Sequence, residues 1–290
     1  MPARIEVPKM YKLYIGGKFT RTESERYTPI VNPKTKEKIC NISRASRKDV
    51  RNAVVAARSG FNSWSAKTGY ERGQILYRLA EMLEGRKDQL AHEITLTTTN
   101  TKTQASKEVM KAIDRIIWYA GLADKYGQLI GTVNNVQSGY FNFSIAEPTG
   151  VVGILLPEEQ PFLALISRLC AVITSGNSCI IIPSEKSPLA ALTFSEIAAT
   201  SDIPAGVVNI LTGRKKELLP HLASHMDVNA FDYAESNSAF KKEVQTACAN
   251  NVKRFVYSAT ADYYNDDKNE NILQVQNFTE LKTVWHTMGL

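Results

Sequence analysis

The side chains able to do covalent or proton-transfer chemistry are few in this chain and widely spaced. Four cysteines, Cys40, Cys170, Cys179 and Cys248, show no CxxC pairing, and three of them fall inside apolar stretches. That distribution predicts buried, reduced thiols and no disulfide framework. Cys179 opens an apolar strand-like run and Cys248 sits on the apolar side of a helix-like segment, so both read as packing residues. His221 and His225 share a helix face at i, i+4, but no HExxH glutamate accompanies them, which predicts a solvent-side pair and no metal site. Two charged features remain. Glu185 lies just ahead of a helix start, where the macrodipole favours a carboxylate, and Arg214-Lys215-Lys216 follows an apolar run and could hold an anion.

These residues hang on an alternating frame. Apolar runs at 151–156, 179–183 and 207–211 are separated by two segments of helical spacing, one of them built on Phe162, Leu165, Ile166, Leu169, Cys170 and Ile173. Gly176 ends that helix, and Ser187 and Pro188 are placed as N-cap and first residue of the next. The pattern continues with a helix at 217–224, a strand at 228–231, a helix at 236–250 capped by Ser236 or Asn237, and a strand at 253–257. Val- and Ile-rich strands that are apolar on both faces need helices on both sides of the sheet. The expected fold is therefore α/β, a Rossmann-like doubly wound parallel sheet.

The flanks add further elements. A hairpin around Gly16-Gly17 occupies 11–21, and 49–125 is helical, with apolar stripes on Val50, Ala53, Val54, Ala57 and Phe61, on Ile75, Leu79, Met82 and Leu83, and on Val109, Ile113, Ile116 and Ile117. Residues 126–146 alternate polar and apolar around Asn134-Asn135 and Ser138-Gly139, which predicts a two-stranded ribbon projecting from the core. Residues 259–271 break the pattern with turn-forming, acidic residues, and 272–290 supply a terminal strand.

Composition limits the function classes. With 290 residues, 43% hydrophobic and 22% charged, the chain can bury a full core. No segment approaches the ~20 apolar residues of a membrane span, and the N-terminus has no apolar signal region, so the expected location is the cytoplasm. The net charge of +6 is concentrated in the first fifty residues, which hold 12 Lys and Arg against 5 Asp and Glu. With no nucleic-acid module in the chain, that excess is read as a solvated face or a partner contact.

Several motifs carry a resemblance. Glu-Pro-x-Gly-Val-Val-Gly at 147–153, Pro-x-x-x-Pro at 157–161, Gly176-Asn177, Pro183-Ser184-Glu185 and Pro204-x-Gly-Val-Val-Asn at 204–209 are ordered and closely spaced. Together with Val31-Asn-Pro-Lys-Thr-Lys, where Lys36 stands at a usual glycine, and with 277–285, they resemble the aldehyde dehydrogenase superfamily. The resemblance implies a nicotinamide cofactor domain, and a ribbon and last strand that exchange edges between subunits. It also implies a Cys nucleophile in a catalytic domain that this chain lacks: 259–271 stands in its place.

The positions that carry chemistry in that family are altered. Glu159 replaces an Asn that stabilises an oxyanion, and a carboxylate there would repel the developing charge. Ile182 replaces a Lys that, with the Glu retained as Glu185, holds the ribose. Tyr233 and Ser238 replace two glycines of the pyrophosphate turn, with Asp232 and Glu235 expected to repel the phosphates. Ser258, at the head of Ser258-Ala259-Thr260-Ala261, replaces the catalytic Glu base.

The expectation is a catalytically inert homologue with no catalytic residue, no metal and no cofactor, NAD(P) being the cofactor if there is one. Its domains would be 1–258, a linker at 259–271 and an oligomerisation strand at 272–290. It would assemble with itself or with a full-length aldehyde dehydrogenase, away from nucleic acid and membrane. The rivals are an NAD(P)-dependent aldehyde oxidoreductase, using its remaining residues or a site completed by a partner, and an anion-binding module using Arg214, Lys215 and Lys216.

Overall fold

In the computed structural model the described residues are 9–137, 139–259 and 262–288. The first eight residues of the basic arm, Ser138 of the expected turn, and Thr260 and Ala261 of the aligned tetrapeptide lie outside them. The chain begins with five short strands, β1 (Met10–Tyr11), β2 (Leu13–Ile15), β3 (Lys18–Thr20), β4 (Tyr27–Val31) and β5 (Lys38–Ser43). Gly16 and Gly17, at φ 59° and 76°, form the tight turn between β2 and β3 that their pairing predicts. Lys36 also takes a positive φ, 64°, and its N–H closes a turn onto Asn32 O at 2.9 Å, which is why glycine suits this motif position.

Four helices follow, α1 (Arg47–Ser65), α2 (Gly69–Glu84), α3 (Lys87–Thr97) and α4 (Lys102–Leu122). Reciprocal capping boxes open three of them, Ser46 with Asp49, Thr68 with Glu71, and Thr101 with Gln104. Val50, Ala53, Val54, Ala57, Leu79, Leu83, Val109, Ile113 and Ile116 are buried as the periodicity predicts, but Phe61, Ile75 and Met82 are half-buried and Ile117 is exposed. The buried stripes are narrower than the apolar ones.

The ribbon departs from its expected form. Tyr126 and Ile130, four residues apart, both turn onto the core, so the segment starts as a helical turn, α5 (Tyr126–Ile130), before β6 (Thr132–Asn134) and β7 (Tyr140–Pro148). The central alternation then runs β8 (Val151–Leu155), α6 (Pro161–Ile173), β9 (Ser178–Ile182), α7 (Leu189–Ala198), β10 (Val208–Ile210), α8 (Lys215–Ala223), β11 (Ala230–Tyr233), α9 (Ser238–Asn250) and β12 (Arg254–Tyr257). Gly176 ends α6 at φ 99°. Ser187 is not a helix cap: Pro188 takes that place, while the Ser187 hydroxyl is 2.6 Å from Thr97 Oγ1 and its N–H is bound by Ser184. At α9 the cap is Asn237, whose Oδ1 accepts from Ala239 N and Phe240 N.

The sheet order is β12-β11-β8-β9-β10-β2-β3, with the first five strands parallel and β2 antiparallel to β10. All residues of β8, β9, β10, β11 and α6 are buried, as a sheet covered on both faces requires. This is the doubly wound α/β architecture.

The last elements are α10 (Asp266–Asn269), α11 (Ile272–Gln276) and β13 (Thr279–Thr287). Residues 262–271, part of the expected polar break, and 272–276, expected as the start of the terminal strand, instead carry α10 and α11 and pack on α4 and α6. The fully buried Arg115 guanidinium bonds Ser167 Oγ, Tyr263 O, Asp266 and Glu270, and Tyr119 donates to Asn269 O at 2.8 Å. β13 then lies antiparallel along the whole of β7, from Thr279 opposite Pro148 to Thr287 opposite Tyr140. The ribbon is thus a three-stranded sheet, β13-β7-β6, completed within the chain.

Candidate functional site

The winding of the central sheet reverses between β8 and β11, and the crevice outside their carboxyl ends is where doubly wound folds take ligands. Lys215, the first residue of α8, extends into this crevice. Its Nζ donates to Leu156 O at 2.8 Å, to Glu158 Oε1 at 2.5 Å and to Glu235 Oε2 at 2.6 Å, which satisfies all three ammonium protons. The side chain is 3% exposed. Glu158 also accepts from Ser184 Oγ and from the backbone N–H groups of Glu185 and Lys186. Burial works against its charge, but Lys215 and these donors outweigh burial and hold the carboxyl below its ordinary value.

Helix starts at this edge are the ready-made anion sites of such a fold. Each is taken by a side chain of the protein itself. The N–H groups of Phe162 and Leu163 in α6 donate to Glu108 Oε1 at 2.9 and 3.1 Å, and the loop entering α7 donates to Glu158. Lys215 N in α8 donates to Glu185 Oε1 at 2.5 Å, and α9 is capped by Asn237.

The altered positions fall around the same edge. Ile182 is buried at the end of β9, and Tyr233 fills space beside Phe255 and Tyr257 while its hydroxyl donates to Asn237 O. Ser238 is the exposed first residue of α9, and Glu159 is exposed and makes no hydrogen bond or ion pair. Ser258 donates to Asp232 Oδ1. Asp232 itself pairs with the buried Arg168 at 2.7 Å, where the carboxylate outweighs burial and keeps the guanidinium pKa raised. The expected repulsion by Asp232 and Glu235 is therefore corrected in part: Asp232 is paired with Arg168, while Glu235 shares the single charge of Lys215 with Glu158, so the crevice keeps an excess of negative charge and is also obstructed by packing and internal pairing. The basic triplet is also divided, since Lys215 is buried while Arg214 stands exposed, 3.7 Å from Glu217.

The cysteines sit as the sequence predicts. All four are buried and unbridged, and burial pushes Cys40 up to about 11, Cys170 up to about 12, and Cys179 and Cys248 upward as well. None is a thiolate near neutral pH. Among the described residues no group of three or more His, Cys, Asp or Glu is placed to hold a metal, and no helix is long and apolar enough to cross a membrane.

The model of the aldehyde dehydrogenase family matches residues 19–260. The chain belongs to that family. It is 33% identical over 250 residues to cytosolic aldehyde dehydrogenase 1 of Elephantulus edwardii, covering 84% of this chain and 49% of that protein. It is 30% identical over 250 residues to omega-crystallin of Enteroctopus dofleini, covering 85% of this chain and 50% of that protein. Among solved structures, the NAD+ complex of an aldehyde dehydrogenase from Bacillus cereus superposes with a TM-score of 0.81 at 26% identity, over 85% of this chain and 50% of that one. The chain thus spans about half the length of these relatives.

Sequence reasoning missed the buried charges that define the crevice. Arg168 carried a signal, because a guanidinium inside an otherwise apolar helix needs a buried partner. Lys215 carried none, since its two basic neighbours made it look like part of an exposed run.

Proposed function

We propose that this aldehyde dehydrogenase family member is not an enzyme and acts by assembly, with itself or with a full-length aldehyde dehydrogenase. One observation carries the reading: the polar groups a dinucleotide would use at the switch crevice are engaged by the chain's own Lys215, Glu158, Glu185 and Glu235. A pyrophosphate would have to displace carboxylates from the α8 start and from the loop entering α7, and Tyr233 occupies space where a close backbone approach is needed. The residues present do not fit NAD(P). Four thiols raised in pKa by burial support the same conclusion for the nucleophile. The open outer edge of β13 supports pairing with another subunit.

The test is a titration with NAD and NADP followed by thermal unfolding, alongside a native mass measurement of protein taken from its source. No shift in melting temperature at millimolar nucleotide, no aldehyde-dependent NADH, and a mass above one chain are expected. A ligand at 100 times its Kd would add ~2.7 kcal/mol, an easily seen shift. Such a shift, with turnover appearing when a partner is added, would favour an NAD(P)-dependent oxidoreductase whose site is completed across subunits.

A further inference from the structure

Among the described residues three arginines, Arg21, Arg47 and Arg51, make no hydrogen bond and no ion pair. Two of the three converge. Arg47 and Arg51, one turn apart on α1, line a cavity of about 340 Å³ together with His221 of α8 and with His225, which lies beyond the helix end and not on one helix face with His221 as the i, i+4 spacing predicts. Val50 and Met226 form apolar walls, and no carboxylate lines it. His225 Nδ1 accepts the Asp227 N–H at 3.2 Å, which leaves Nε2 as the ring's donor. The charged groups around this histidine are Arg51, Lys253, whose Nζ bonds His225 O, and Asp227. Lys242 and Glu243 of α9 lie across Ser224 and Met226 in the adjoining cavity. Cations outnumber carboxylates on every packed element except the short turn that carries Asp227.

We propose that this cavity binds the phosphate group of a small phosphorylated molecule. Two guanidiniums on α1, the His221 imidazole on α8 and the His225 imidazole just past the end of α8 offer donors from two sides to a tetrahedral dianion, the geometry for which arginine is suited. The volume exceeds what a phosphate needs and falls within the range of small-molecule sites, so the organic part of the ligand lies against Val50 and Met226. Burial, then Lys253 and Arg51, hold the His225 pKa below its ordinary value against the pull of Asp227. A bound dianion reverses that balance. By linkage, phosphate raises the titration midpoint of His225, and binding tightens as pH falls through it.

The experiment follows the four histidine ring resonances of the full chain by NMR against pH, with inorganic phosphate and with phenyl phosphate in low-salt buffer. Both probes are expected to raise the His225 midpoint, to displace the His221 ring resonances and to leave the His92 and His286 resonances in place, with phenyl phosphate the tighter. Arg51→Ala should weaken binding about tenfold, and Arg51→Lys by less. Arg21→Ala, the third unpaired arginine, should change nothing. The Arg51 side chain bonds to no other described residue, so the variant's unchanged melting temperature serves as the folding control. An unmoved His225 midpoint and unmoved His221 resonances at millimolar probe, or equal weakening by Arg21→Ala, would overturn the site.

Discussion

The carboxyl edge of the central sheet and the three-stranded ribbon treat their polar and apolar groups in opposite ways. At the carboxyl edge the helix starts of α6, α8 and α9 and the loop entering α7 are met by Glu108, Glu185, Asn237 and Glu158, and the central cation is surrounded by acceptors. In the ribbon one face is polar and linked, by Asn134 donating to Asn142 and Ser144 and by the Ser144–Thr283 pair, with the Asn142 Nδ2 group left over. On its other face Val133, Phe143 and Val284 are register partners, flanked by Phe141 and Ile145, and most of this apolar surface is uncovered. A crevice whose helix starts are already taken gains little from a ligand at them, whereas an open strand edge beside exposed Phe141 and Ile145 gains from a second chain.

The sharpest way to break that contrast is to remove the open edge. Phe278 is buried beneath the Arg168 guanidinium, so truncation should follow it and spare the core. A chain ending at Phe278 is expected to lose assembly entirely, read as a fall to monomer mass in light scattering, with the far-UV signal of the central sheet retained. An unchanged mass would mean that assembly, if any, uses another surface.

A smaller effect probes the satisfied side. Lys215→Met leaves Glu158 and Glu235 facing each other in a buried site and should cost about 3–5 kcal/mol in urea unfolding. The triple change Lys215→Met, Glu158→Gln, Glu235→Gln removes all three charges and should recover most of that loss. If the single and triple variants are equally destabilised, the charges are not coupled and the crevice is not held shut by them.

The two regions were also unequally legible in the sequence. The doubly wound sheet was readable because Val- and Ile-rich runs such as 151–156 and helical spacing such as Phe162, Leu165, Leu169 report burial through periodicity. The crevice was readable only in its altered positions. Which carboxylate faces inward between Glu158 and Glu159 depends on the positive φ of Gln160, 47°, which re-aims the chain ahead of α6. Likewise Asp232 and Glu235 looked exposed because their partners, Arg168 and Lys215, are 64 and 20 residues away in sequence. Pairings of that separation leave no local trace. The same holds for 262–271, whose polar composition reads as a break although Arg115 and Tyr119 hold it against α4.

The smallest predicted effect tests whether every acid on the satisfied side is as well served as Glu158. Glu108 is not. Its Oε1 accepts two N–H groups at the α6 start, but Oε2 is buried without a partner, and burial raises its pKa despite those two donors. A carboxyl whose folded value lies above its unfolded value, about 4.5, binds its proton more tightly in the folded state. Its contribution is therefore fully present below pH ~4.5 and is lost as pH rises towards the folded value. Glu108→Gln keeps an oxygen for both N–H groups and carries no charge at any pH. Whatever packing cost the amide brings is the same at both ends of the pH range, so the slope isolates the carboxyl. The stability of the variant relative to the parent chain should rise between pH 5 and pH 8, measured as the difference in urea midpoints. A difference that stays flat over that interval would place the Glu108 carboxyl at its unfolded value and remove the asymmetry between the two acids.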